Sequence, residues 1–188
     1  MKIIILTGQT CSGKSTLEKA LETQFGYIRL RSITTRAPRT GEIDGVHYDF
    51  VSVEKFVSTP LLESIRFNDN YYGLPADQLV DPNGVYIAVV EPEGRAQVMN
   101  YCFDRKIRCI PVFLTVDPGV FADRFMDRYE REILDSPDPA AVTVDMRKRL
   151  KVAVMESQWQ PTIDSLQVQF GPDTEQEVLE KIKHLVEM

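Results

Sequence analysis

The sequence predicts an α/β protein of three layers, with helices on both faces of a parallel sheet. Three observations predict it. Continuous apolar runs at residues 3–6, 85–90 and 110–114 are of the kind buried on both faces of a sheet. Segments between them carry apolar residues four apart, the period of a helix with one buried face. A glycine-rich turn, Gly8-Gln9-Thr10-Cys11-Ser12-Gly13-Lys14-Ser15, joins the first run to the first helical segment. Strands alternating with helices imply parallel pairing through right-handed crossovers.

Taken in order, Ile3-Ile4-Ile5-Leu6 is the first strand, and Leu17, Leu21 and Phe25 mark the helix that follows. Tyr27-Ile28-Arg29-Leu30 reads as a second strand. From Ile33 to Asn83 prolines, glycines and aromatics are scattered, and helical periodicity is weak apart from 52–58. This predicts a small β-rich insertion over 33–84, with the core formed by 1–32 and 85–188. The sheet resumes at 85–90, then a helix over 94–103, a strand at 110–114 and a helix over 118–129. Residues 130–143, with Asp135-Ser136-Pro137-Asp138-Pro139, read as an exposed mobile segment. Val142, Met146 and Leu150 mark a long helix to about Gln158, and Trp159 at its end reads as packing. A strand at 166–170 and an amphipathic helix carrying Val178, Ile182 and Leu185 complete the chain.

Composition narrows the class of function. A chain of 188 residues with 43% hydrophobic and 27% charged residues suits one globular domain with a generous core. No apolar stretch approaches the ~20 residues that cross a bilayer, and Met1-Lys2 runs straight into strand residues without a signal region, so the expectation is a cytoplasmic protein with no membrane partner. The net charge of −6 argues against nucleic acid as a partner. Three cysteines without CxxC spacing and two distant histidines give no disulfide framework, zinc site or serine–histidine pair. One window stands apart: between Glu22 and Glu42 there is no acid, yet Arg29, Arg31, Arg36 and Arg39 fall there. Arginine forks fit phosphate oxygens two at a time, so the window reads as an anion site or as solvated surface.

The glycine turn is G-x-x-x-x-G-K-[ST] between strand and helix, the context of a phosphate-binding P-loop (Walker A). Its glycines let backbone N–H groups point inward, and the helix N-terminus adds partial positive charge. Gly8, Thr10, Cys11, Ser12, Gly13, Lys14, Ser15 and Thr16 are the candidate ATP-binding residues. Lys14 is expected to reach the β/γ-phosphates, and Ser15 to ligate Mg²⁺. Cys11 reads as a small filler.

Residues 32–50, Ser-Ile-Thr-Thr-Arg-Ala-Pro-Arg-Thr-Gly-Glu-Ile-Asp-Gly-Val-His-Tyr-Asp-Phe, resemble the guanylate kinase signature TTRxPRxGExxGxxYxF. With the P-loop before it and Tyr71-Tyr72-Gly73 after it, the resemblance covers most of 1–95 and continues more loosely to Glu156. It implies a P-loop nucleoside monophosphate kinase with a monophosphate-binding insertion and a helical lid at about 124–149. ATP and GMP or dGMP are the implied substrates and Mg²⁺ the implied cofactor. Ser32, Arg36, Arg39 and Tyr48 match the residues that hold the GMP phosphate. The residues themselves agree, since Pro38 restricts the backbone between two arginines three apart. Glu63 and, less closely, Glu91 match carboxylates that read guanine; acceptor-only groups suit its N1–H and N2–H₂ donors. Tyr72, Gly73 and Leu74 complete the expected acceptor site. Arg124, Arg128 and Arg149 match lid arginines expected to act in catalysis with Lys14 and Arg36. Arg131 and Arg147 are further candidates, and helix-surface pairing with Glu130 or Glu132 competes.

The chain departs from the family in three places. Leu74 replaces a serine or threonine that helps hold the base, Val89 replaces a strand-end aspartate, and Gly171-Pro172-Asp173 lies where the family contacts adenine through an asparagine. Other acceptors (dTMP, another deoxynucleotide or a sugar phosphate) and a non-catalytic binding module of the same fold therefore stay open. So does the oligomeric state, a homodimer included.

Overall fold

The computed structural model describes residues 1–39, 41–67, 69–169 and 174–188. Two sheets organise it. The larger has five parallel strands in the order β2-β7-β1-β8-β9: β1 (Lys2–Gly8), β2 (Ile28–Arg29), β7 (Val85–Val89), β8 (Arg108–Thr115) and β9 (Leu166–Gln169). The second has four strands in the order β4-β3-β6-β5: β3 (Ile33–Thr34), β4 (Asp49–Phe50), β5 (Leu61–Phe67) and β6 (Asn70–Pro75). All four lie between the second and third strands of the large sheet in sequence, where turn residues replace apolar runs.

The central strands β1, β7 and β8 are apolar because both faces are covered. One face buries Ile4, Leu6, Ile87, Ile110, Val112 and Leu114 against α1 (Lys14–Phe25) and α6 (Glu175–Glu187). The other packs Ile3, Ile5, Tyr86 and Ala88 against α3 (Pro92–Arg105), together with Leu62 of β5 and Leu74 of β6. The small sheet is therefore fastened to the large one by shared core. Helix α2 (Val53–Ser58) is capped by the Ser52 hydroxyl, which accepts from Lys55 N.

The charged stretch departs from expectation. Residues 130–143 are not a mobile segment: α4 (Pro118–Asp135) and α5 (Pro139–Glu156) leave only 136–138 between them. Asp117 and Asp138 cap the two helices through their carboxylates, each just ahead of a proline at the first helical position. Along α5 the buried residues are Val142, Met146, Ala153 and Glu156, while Leu150 is exposed. The second strand is shorter than expected, at Ile28–Arg29, and α3 longer. Phe170 and the Gly171-Pro172-Asp173 turn lie outside the described residues. Among the described residues no helix is long and apolar enough to cross a membrane.

Candidate active site

The phosphate loop sits where β1 ends and α1 begins. Gly8 (φ +152°) lies so close to β8 that a Cβ there would stand 2.1 Å from the Leu114 carbonyl oxygen. Gly13, with φ +96°, turns the chain into α1. The loop from Thr10 to Thr16 lines a cavity of about 850 Å³, shared with Arg124, Arg128 and Arg131 from α4. Ser12 Oγ is buried there without a hydrogen-bond partner, and Ser15 is exposed to the cavity. Lys14 Nζ donates to the carbonyls of Gly8 and Gln9, each at 2.7 Å. Burial lowers its pKa, and the nearby carboxylate of Glu156 works against that fall.

A second cavity, of about 300 Å³, adjoins the loop. Gly8, Thr10 and Lys14 of the first strand and loop line it together with Ser32, Arg36, Arg39 and Tyr48. Arg36 is held in place before any ligand is considered. Its guanidinium meets Glu42 in a two-pronged contact at 2.8 and 3.0 Å, donates to the Tyr72 hydroxyl at 3.2 Å, and lies over the Tyr48 and Phe50 rings. Burial pushes the Glu42 carboxyl up, but the Arg36 fork and the Arg39 N–H outweigh it and its pKa falls below the usual value. Tyr48 titrates above its ordinary range, chiefly through burial.

The lining of this cavity is also acidic and apolar together. Glu63 and Glu91 line it with Tyr72, Ile65, Phe67, Val89 and Val90. Glu63 is 6% exposed, and burial, then Glu91 and Glu93, raise its pKa to about 7 against a hydrogen bond from the Leu74 N–H. Glu91 is raised as well, by burial and then by Glu156. Leu74 and Gly73 do not line the cavity. The Leu74 side chain is fully buried in the core shared with Ile3, Tyr86 and Val98, so only its backbone faces Glu63. Gly73 is packed within the small sheet, a Cβ there lying 2.8 Å from the Glu63 carbonyl oxygen.

The lid arginines divide. Arg124 donates to the Cys11 carbonyl at 2.9 Å, and Arg128 reaches the cavity edge while paired with Glu132 at 2.9 Å. Arg149 does not line the phosphate-loop cavity. Both its arms are taken up between the lid helices, by Glu132 and Asp145 at 2.7 Å each, because the 149 position of α5 faces α4. The competing reading, pairing with Glu132, describes it better. Arg147 is exposed.

Three contributors were not anticipated. Glu156, 8% exposed at the end of α5, accepts from Thr10 N at 2.6 Å and so ties the lid helix to the phosphate loop. Trp159, expected as packing, lines the 300 Å³ cavity. Asp145 lies 3.7 Å from Arg39 Nε, so α5 touches the small sheet's arginine loop. None of the three carried a local signal, because each depends on where α5 and the residues just after it dock.

The family model described as Guanylate kinase matches residues 1–80. A curated guanylate kinase from Synechococcus sp. (strain CC9311) is 34% identical over 189 residues, which covers 96% of this chain and 93% of that protein. Another, from Latilactobacillus sakei subsp. sakei (strain 23K), is 38% identical over 111 residues, 54% of this chain and 55% of the relative. The crystal structure of guanylate kinase from Anaplasma phagocytophilum aligns over 99% of this chain and 84% of its own, with a TM-score of 0.60 and 21% identity, a likeness of fold. With a 34% identical relative matched along nearly its whole length, on a fold that presents the P-loop and the arginine motif to one cavity, the chain belongs to the guanylate kinase family.

Proposed function

We propose that the protein transfers the γ-phosphoryl group of ATP to GMP or dGMP. One observation carries this reading: Lys14 of the phosphate loop, the Arg36/Arg39 pair and Glu63 line the same 300 Å³ cavity. A donor phosphate in the loop and an acceptor phosphate among the arginines would thus face one shared space. Phosphoryl transfer asks the protein mainly for alignment and charge neutralisation.

Arg36 is fixed by Glu42, Tyr72 and the Tyr48 face, so it holds an acceptor phosphate at little further entropic cost. Arg39, Ser32 and Tyr48 complete that cradle. Lys14 leaves the Gly8 and Gln9 carbonyls for the β/γ-phosphates, and Arg124 and Arg128 approach from α4. The donor set suits magnesium: Ser15 offers one oxygen to the loop cavity, and among the described residues no group of three acids, cysteines or histidines could hold an ion alone. Mg²⁺ accepts that arrangement, taking its other ligands from phosphates and water. When bound it neutralises charge on the β- and γ-oxygens. Glu63 and Glu91 would accept from guanine N1–H and N2–H₂.

The test is a coupled assay over GMP, dGMP, dTMP, dCMP, AMP and ribose phosphates, in the wild type and in Lys14→Ala. GMP or dGMP should lead, and Lys14→Ala should lose nearly all turnover. Activity confined to a non-purine would refute the guanine assignment. The apolar wall of Ile65, Phe67 and Val89 is what favours that outcome, since a pyrimidine N3–H can also donate to Glu63. Absence of turnover with every acceptor would leave a binding module.

A further inference from the structure

We propose that Gly94 is a specificity-determining position of the acceptor site, because the space left by its missing side chain is the seat of the Glu63 carboxylate. This inference rests on Glu63 reading the acceptor base. A Cβ built on Gly94 would stand 2.8 Å from Glu63 Oε2, 3.2 Å from its Cδ and 3.3 Å from Val90 Cβ. The first distance is well inside van der Waals contact, so the carboxylate and a methyl group cannot both keep their places.

Backbone conformation does not call for glycine here. Gly94 lies in the first turn of α3, outside the left-handed region where a side chain is strained. Glycine at a helical position is ordinarily a disadvantage. The residue is explained by the space beside it rather than by its dihedral angles.

Strand β5 cannot retreat to make room. Gln97, one turn further along the same face of α3, donates from Nε2 to the Ser64 carbonyl at 3.0 Å and accepts from Ser64 N at 3.0 Å. That reciprocal pair pins the residue next to Glu63 to the helix. On its other side the Glu63 carboxyl takes a hydrogen bond from the Leu74 N–H. A methyl at 94 therefore displaces the flexible end of one side chain, the group that would face guanine, and leaves the strand where it is.

Gly94→Ala separates recognition from stability. The helix gains a better helix former, so the melting temperature should stay the same or rise. Displacing a recognition group by a fraction of an ångström to 1 Å is costly to turnover, up to roughly a hundredfold. We expect kcat/KM for GMP to fall at least tenfold, the preference for GMP over AMP to shrink by a similar factor, and KM for ATP to stay within twofold. In a Glu63→Ala background the same substitution should have no further effect on GMP turnover, since the group it displaces is gone.

If wild type ignores guanine nucleotides, the proposed function fails first and visibly. If wild type prefers GMP while Gly94→Ala keeps kcat/KM within twofold, this inference fails alone. Should Gly94→Ala not fold, the Glu63→Ala/Gly94→Ala protein decides: folding supports the inference, and failure to fold assigns Gly94 to packing against Val90 and overturns it.

Discussion

Substituting Glu63 with Gln tests the acceptor site through its protonation. The Glu63 carboxyl has a pKa of about 7, because burial, Glu91 and Glu93 together outweigh the Leu74 N–H. A carboxylate accepts from the guanine donors, and a carboxylic acid puts a proton where guanine also has one. With a pKa near 7 the group is about nine-tenths ionised at pH 8 and about one-tenth at pH 6, so kcat/KM for GMP should fall about tenfold across that interval. A phosphate monoester titrates near 6 and confounds a single profile. Glu63→Gln keeps one accepting oxygen and cannot ionise, so it supplies the reference. The ratio of wild-type to Glu63→Gln kcat/KM, measured from pH 5.5 to 8.5 in a coupled assay, should show one inflection near pH 7. A flat ratio, or an inflection near the ordinary glutamate value, would refute the reasoning.

The same displacement bears on stability. The folded pKa lies above the unfolded value of 4.5, so between these values the folded state holds a proton that the unfolded state has released. Stability must therefore fall as pH rises from about 4.5 to 7, and the loss is complete above 7. The displacement of about 2.5 units corresponds to about 3 kcal/mol. Glu63→Gln should thus be more stable than wild type at pH 8, by up to that amount, and equal to it at pH 4 in urea titrations. A stabilisation independent of pH would place the origin elsewhere.

Two further outcomes follow from the geometry. Glu156→Ala leaves Thr10 N without its acceptor and frees the end of α5 from the phosphate loop, so KM for ATP should rise about tenfold, the scale of roughly 1.5–3 kcal/mol for a hydrogen bond to a charged group. Glu156→Gln, whose amide oxygen still accepts, should lie between wild type and alanine, and equal effects of the two would contradict the hydrogen-bond account. Leu74→Ser should not restore a base contact, because the side chain points into the core: we expect a loss of about 3 kcal/mol in denaturant unfolding with KM for GMP within twofold. A lowered KM would show that position 74 reaches the acceptor after all.

What the sequence disclosed and what it hid divide along sequence distance. The phosphate loop was legible because eight consecutive residues determine its chain path. The arginine pair was legible because Arg36 and Arg39 stand three apart in one motif, which also carries the Glu42 that joins the Arg36 guanidinium to the Arg39 N–H. Within the helical lid, residues 130–143 depart from expectation for a local reason. Its composition is so charged that it resembles loop, and only the Asp-Pro pairs at 117–118 and 138–139 mark where its helices start. Four-residue steps align Leu150 with Val142 and Met146, yet at 3.6 residues per turn two such steps carry it about 80° from Val142. Ala153 and Met146 stay within about 40° and are buried. Drift of this kind is invisible to a count of four-residue intervals.

The residues missed altogether are those whose role depends on closure in three dimensions. Glu156 and Thr10 lie 146 positions apart and meet only because α5 crosses back to the loop. Asp145 shows why spacing between arginines could not predict their fate. One of its oxygens, Oδ2, lies 2.7 Å from Arg149 and 3.7 Å from Arg39, so a lid arginine and an acceptor-site arginine share a single carboxylate. In the proposed reading, an acceptor phosphate between Arg36 and Arg39 would compete with Asp145 for Arg39. The Arg39–Asp145 contact is long and partly exposed, so it would give way at little cost, while Arg36 is already oriented by Glu42. Asp145 thus joins Arg39 of the small sheet to Arg149 of α5, through one side chain that no motif singled out.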